Sequence, residues 1–320
     1  MNLSLSQPQW LNTDETPAVM ISVLDHLGLM RVTGEQGRSF IHGQVTTDIS
    51  SLEKQQWRWG AHCDPKGKML AAFRTFALDD ALMLMMPKDT LQADLPQLAK
   101  YAVFSKAELT DASDDYRIIG VAGNDAATWI HDHFGELTHE VNDIPGGLLL
   151  KDADRFIIII EQSAATPLLG SINEPLYRAE AWQALEISAG YPNIRASHQG
   201  QFVPQMCNLQ AINGISFEKG CYMGQETVAR MKYRGGNKRA LYIVAGTSAD
   251  AINTESQLEI AIEDGFKKIG TIIEVAQYQQ QVLLTAVLPN DTEIGSQLRI
   301  AGCSDSSLTV QPLPYSLEEE

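Results

Sequence analysis

The pattern of apolar residues changes character at Gly235-Gly236, and that change limits the folds open to the chain. Upstream, runs with strand character ("QQWRWGAHC" at 55–63, "MLAAFRTFAL" at 69–78, "RFIIIIE" at 155–161) are interleaved with runs of helical spacing ("KDTLQADLPQLAKYAV" from Lys88, "EPLYRAEAWQALEISAG" from Glu174). Downstream, "RALYIVAG", "QLEIAIED", "KKIGTIIEVAQY", "QQVLLTAVL", "QLRIAG" and "SSLTVQPL" are short strands between polar or Gly/Pro/Asn turns. Mixed helix and strand order predicts an α+β body over 1–235 rather than a repeated parallel β-α-β array. A tail of short strands alone predicts a small β-barrel or sandwich over 236–320. At 320 residues the chain is long enough for two or three packed units.

Within the body the punctuation is specific. Pro65 and Gly67 hold the second and fourth places of a β-turn in "DPKG". Asp89 or Thr90 is the expected cap of the helix that follows Pro87, a further helix is expected over 175–189, and "YMGQETVARMKY" reads as a helix from Tyr222.

Several functions are disfavoured by composition. The cysteines at 63, 207, 221 and 303 form no CxxC or CxxH spacing, and the one close histidine pair, His131 and His133, lacks a ligand partner at useful spacing. No metal site is expected, and unpaired cysteines fit a reduced, cytoplasmic protein. The opening residues have neither the basic start nor the apolar stretch of a signal peptide, and the purest apolar run, 156–160, is far too short to span a bilayer. A net charge of −16 repels polyanions and disfavours nonspecific binding to a phosphate backbone.

Two features run against this neutral background. "RMKYRGGNKR" at 230–239 holds five basic residues and no acid, leaving 19 basic and 40 acidic residues elsewhere. It is either a solvated helix end or a site for an anion such as a phosphate, carboxylate or polyglutamate. In "FEKGCYMGQE", Cys221 follows Lys219 and precedes the expected helix, an arrangement in which a neighbouring ammonium and the helix dipole favour a thiolate. The alternative is a small cysteine packed at a turn. Trp182, with Leu185 and Ala189, makes one apolar helix face and by itself reads as core.

The stretch "KGCYMGQE" at 219–226 resembles the signature of the YgfZ family of folate-binding proteins, relatives of the glycine-cleavage T-protein. "HGQVTTDIS" at 42–50, "AHCDPKGKM" at 61–69, "YAVFSKAEL" at 101–109 and "FVPQMCNLQAINGISF" at 202–217 agree with it in order along the chain. The resemblance implies a T-protein-like fold, with two interwoven α+β subdomains (the middle one about 45–110) and a C-terminal antiparallel barrel. It also implies a folate ligand, tetrahydrofolate or a derivative, with or without a polyglutamate tail. The implied role is maintenance of iron-sulfur enzymes and, through one of them, tRNA modification, with such enzymes as partners; the acidity of the chain argues that it need not touch tRNA directly. A folate-dependent one-carbon transferase and a scaffold without folate chemistry are the alternatives.

By the same resemblance Cys221 is the candidate functional thiol with Lys219 beside it, Leu27 and Trp182 are the positions that contact folate, and Arg230 and Arg234 are candidates for its glutamate carboxylates. Leu27 stands where the family has a second tryptophan. Ser188 stands where T-protein relatives often carry a glutamate that pairs with the pterin, which leans away from aminomethyl transfer. Glu186 is not an obvious substitute, since positions 186 and 188 point about 200° apart on a helix.

Overall fold

The computed structural model describes residues 3–11 and 13–317. Strands β1 (Met20–Val23) and β2 (Leu27–Thr33) are separated by three residues yet enter different sheets, and this crossing interleaves the body. The first sheet runs β11-β1-β7-β10-β9-β8, from β7 (Tyr116–Ala122), β8 (Val141–Ile144), β9 (Gly147–Asp152), β10 (Arg155–Glu161) and β11 (Leu176–Tyr177). Its pairs are antiparallel except β1 with β11. The second sheet, order β3-β4-β5-β2-β6, is antiparallel throughout and uses β3 (Trp57–Cys63), β4 (Met69–Leu78), β5 (Ala81–Pro87) and β6 (Glu108–Asp111).

The two sheets face one another across a shared core. Leu29 of β2, Phe76 of β4 and Met85 of β5 meet Ile118, Leu148 and Ile157 of the first sheet there. Helices α1 (Gly37–His42) and α2 (Lys88–Ala102) cover the outer face of the second sheet, and α3 (Ala126–Phe134) and α4 (Gln162–Ser171) that of the first. Strands so enclosed bury both faces, which is why they read as unbroken apolar runs. In β10, Ile157 and Ile159 enter the shared core while Phe156, Ile158 and Ile160 pack under the helices.

The segment after Gly235-Gly236 forms a seven-stranded antiparallel sheet, order β14-β13-β17-β18-β12-β16-β15. Its strands are β12 (Arg239–Thr247), β13 (Leu258–Ile262), β14 (Gly265–Lys268), β15 (Thr271–Tyr278), β16 (Gln281–Pro289), β17 (Gln297–Ile300) and β18 (Ser307–Gln311). They enclose a core of their own. Helix α5 (Ala179–Ser188) docks on the outside of this unit through Ala184 and Ile187 against Ile243 and Ala276.

The starts of α5 and α2 differ from the sequence reading. Helix α5 begins at Ala179 rather than near 175, because Leu176 and Tyr177 pair in parallel with Ile21 and Ser22 of β1. Helix α2 begins at Lys88 with Pro87 at its cap position, and the Asp89 carboxylate instead accepts Arg195 Nε at 3.0 Å.

Candidate functional site

Four of the segments singled out in the sequence converge on one junction. Thr46 N–H donates to Ala61 O at 2.9 Å, the Thr46 hydroxyl donates to Gly214 O at 2.6 Å, and Ser216 N–H returns to Thr46 O at 2.9 Å. Lys219 Nζ donates to the carbonyls of His42 and, at 2.7 Å, Val45, and Met223 N–H donates to Gly43 O at 3.2 Å. The "DPKG" turn completes the junction by pressing against the start of α6 (Gln225–Arg234). Gly67 and Gly224 both have positive φ, 76° and 81°. A Cβ on Gly67 would lie 2.7 Å from Thr227 Cβ, and one on Gly224 2.6 Å from Asp64 O, so both conformation and space require glycine.

The loop between these anchors carries Cys221, which is exposed, while Cys63, Cys207 and Cys303 are buried. Burial pushes the Cys63 and Cys207 thiols far above their ordinary range, so they are inert packing groups. The helix begins at Gln225 with left-handed Gly224 at the cap, not at Tyr222, so Cys221 lies outside the first turn. Lys219 is turned inward onto the carbonyls and over the Tyr222 ring, 4.8 Å from its centroid. Burial lowers its amine to about 8, opposed by the Asp48 carboxylate. Asp48 faces His42, Oδ1 to Nδ1 3.3 Å. Burial would raise that carboxyl, but hydrogen bonds from the hydroxyls and amides of Ser50 and Ser51 outweigh it and hold it below the usual range. His42 is pushed down by burial and by Lys219.

A cavity of about 460 Å³ opens beside this junction, lined by Thr47, Asp48, Ser51, Trp57, Arg58, Trp59, Glu140, Ile212, Asn213, Ile215 and Ser216. Strand β3 is the edge of its sheet, and Ala61 bonds outside the sheet to Thr46. Alternation by two therefore puts the backbone groups of Trp59 and Trp57 on the same open edge. Trp59 is only 4% exposed, and its indole Nε1 has no hydrogen-bond partner among the described residues. Ser216 joins the cavity to the thiol loop, since its hydroxyl accepts Lys219 N–H at 3.3 Å.

Behind the two indoles lies a sealed cluster of charges. Arg74 stands 4.3 Å from the Trp59 ring centroid and 5.1 Å from that of Tyr191. One Arg74 nitrogen donates to both oxygens of Glu186, at 2.9 and 3.0 Å, and to Asp152 at 3.1 Å. Arg155 reaches the same two carboxylates at 2.8 Å (Asp152) and 3.2 Å (Glu186), and Tyr191 donates its hydroxyl to Asp152 at 2.7 Å. Burial would raise Asp152, but Arg74 and Arg155 hold its carboxyl below the ordinary value. Asn193 links Glu186 to Glu274 of β15, donating to them at 3.3 and 2.9 Å, and burial pushes Glu274 up to about 7.

Comparison with known proteins places this arrangement. Residues 237–303 match the family model described as "YgfZ, beta-barrel domain". Over 311 residues, 96% of this chain and 95% of its relative, the sequence is 37% identical to the tRNA-modifying protein YgfZ of Vibrio atlanticus (strain LGP32). The chain belongs to the YgfZ family. Its fold is that of the T-protein: aminomethyltransferase T of the glycine cleavage system from Bartonella henselae superposes with a TM-score of 0.69 at 16% identity, over 93% of this chain and 86% of that one. The family resemblance and the α+β body with its C-terminal antiparallel unit, both read from the sequence, hold.

In this YgfZ-family chain Leu27 and Trp182 lie together in the core between the two body sheets. Trp182 is fully buried; a Cβ on Gly120 would come within 2.3 Å of its ring, and the Arg155 guanidinium lies over the ring 5.1 Å from the centroid. Arg230 and Arg234 are exposed on α6, away from that core and from the cavity lining. Trp57, Trp59, Arg74, Arg155 and Asp152 were not picked out from the sequence. A lone cation inside the apolar β4 run, Arg74, was the visible signal, because buried arginine needs a partner. Among the described residues no group of three or more His, Cys, Asp and Glu could hold a metal ion, and no helix is long and apolar enough to cross a membrane.

Proposed function

We propose that the chain is a folate-binding accessory protein that supports iron-sulfur enzymes and thereby tRNA modification, with Cys221 as its functional thiol. The observation that carries this reading is the joining of cavity and thiol loop through Ser216 and Lys219. Its volume of about 460 Å³ falls within the usual range for small-ligand sites. The fit to a folate can be judged from the donor set. Trp57 offers an aromatic wall for a flat heterocycle, Glu140 offers an acceptor for an aminopyrimidine edge, and the unpartnered Trp59 Nε1 offers a donor. The relative's name supports the tRNA side of the reading, and the fold shared with aminomethyltransferase T supports the folate side.

Within this assignment the protein's own groups hold and orient. Lys219 clamps the 42–45 segment, and the inward turn of its amine leaves Cys221 as the accessible nucleophile at the cavity's flank. Trp182, with one face against Gly120 and the other under Arg155, supports the wall from behind rather than stacking on a ligand. The test is a tetrahydrofolate titration followed by tryptophan fluorescence, paired with complementation of a strain lacking its own family member. Trp57→Phe should lose most of the quenching and Trp182→Phe little. Cys221→Ala should fail to restore tRNA thiomodification. Full rescue by Cys221→Ala together with unaltered quenching in Trp57→Phe would leave only a scaffold.

A further inference from the structure

The cations of the 230–239 segment line no part of the cavity. Arg230, Lys232, Arg234, Lys238 and Arg239 are all exposed, and among the described residues none of them takes part in a salt bridge. The acids nearest in sequence are Glu226 and Asp250. Asp291 sits nearby in space, next to Asn290, whose N–H donates to Lys238 O at 3.0 Å. Tyr233, in the middle of the cations, is 68% exposed. Its ring is braced rather than loose: Phe217 meets it edge-on at 6.4 Å, and Lys232 lies over the Phe217 ring at 4.0 Å.

We infer that this arm is a docking surface for a single-stranded segment of RNA. Arg230 and Arg234 are one helical turn apart on the same side of α6, and Lys238 and Arg239 extend the line of cations along the chain beyond Gly235-Gly236. Such a line follows a phosphodiester backbone, and the rest of the chain, 19 basic against 40 acidic residues, confines a polyanion to it. The exposed ring selects among anions. A base can stack on Tyr233, whereas an acidic peptide or the carboxylate tail of a small ligand has no use for it. Stacking needs an unpaired base, so a loop is favoured over a duplex. The inference extends the tRNA side of the proposed function and requires no folate.

The experiment is fluorescence anisotropy with a labelled RNA hairpin carrying an open loop and a blunt RNA duplex of equal length, at two salt concentrations. The wild-type chain should bind the hairpin more tightly. The double variant Arg230→Glu with Arg234→Glu should weaken that binding by at least about 10-fold, and each cation neutralised should lower the salt slope by about 0.7. Tyr233→Ala should cost about 5-fold or more on the hairpin, little on the duplex, and leave the salt slope unchanged. All these side chains are exposed, so melting temperatures should match the wild type and exclude misfolding. Absence of hairpin binding in the wild type, or wild-type affinity in the charge-reversed variant, overturns the inference. Tetrahydrofolate titration of the charge-reversed variant separates the two proposals: retained folate binding is expected, and its loss without any change in RNA binding would assign the arm to the ligand's acidic tail.

Discussion

The sealed cluster around Arg74 and the exposed groups between Cys221 and Arg239 treat charge in opposite ways. In the interior, Arg74, Arg155, Asp152 and Glu186 are each less than 10% exposed, and every carboxylate meets a guanidinium. Outside, the five cations of 230–239 and the Cys221 thiol face solvent, and among the described residues none of these cations is in a salt bridge. The interior charges come from the first sheet (Asp152, Arg155), the second (Arg74) and α5 (Glu186), so they tie together units distant in sequence. The exterior ones support little and are free to meet ligands. Loss of an interior charge should therefore damage stability, and loss of an exterior group should damage function alone.

The largest expected effect is at Arg74. Arg74→Ala would leave Asp152 and Glu186 buried with only Arg155 between them and should cost about 3–5 kcal/mol in denaturant unfolding. A loss below about 1 kcal/mol would mean that the cluster is not a clamp and that the contrast between the regions fails.

Next comes Glu274, where α5 and Asn193 meet the last unit. Its carboxyl rises from 4.5 to about 7 on folding, mainly by burial, with Glu186 adding to the rise. The folded state thus favours the protonated form. Stability from this group is fully present below about pH 4.5 and declines as pH rises through about 7, a loss of about 3 kcal/mol. Glu274→Gln should flatten that part of the stability profile and be the more stable protein at pH 8. An unchanged slope between pH 5 and 8 would show that Glu274 is ionised at little cost in the fold.

How much of this was readable in advance follows from the range of each interaction. Strand and helix runs announced themselves through local periodicity, and every helix or strand after Gly235-Gly236 among the described residues is a strand. Interactions across long sequence separations did not. The Lys219–His42 contact spans 177 residues and the Arg74–Glu186 pair 112, and no local pattern encodes such partners. Glu186 was set aside because the question asked of it concerned a ligand; the structure shows it answering to Arg74. The start of α5 was misread for the same reason, since Leu176 is taken by β1 from far away. The start of α6 was a local miss: Gly224 already marked the left-handed position that separates the Cys221 loop from the helix.

That glycine gives the intermediate case between the two regions. Gly224→Ala forces a left-handed residue against Asp64 O, and strain with displacement of the turn should cost about 2 kcal/mol in thermal unfolding. Because α6 and the Cys221 loop share this anchor, the variant should also impair the function assigned to the thiol, joining a stability loss to a functional one.

The smallest effect on stability, and the sharpest on function, is expected at Cys221. Its side chain is exposed and the fold makes no structural demand on it, so Cys221→Ala should change unfolding free energy by less than about 0.5 kcal/mol. Cys63→Ala, by contrast, removes a fully buried group from the cluster that joins β3, β4 and the last unit, and should cost on the order of 1 kcal/mol while sparing the accessible thiol. Alkylation of the native protein should accordingly label Cys221 and leave the three buried thiols unmodified until unfolding. If Cys221→Ala were as destabilising as Cys63→Ala, the thiol would belong with the interior groups, and the loop that Lys219 holds in place would be a packing element rather than a reactive one.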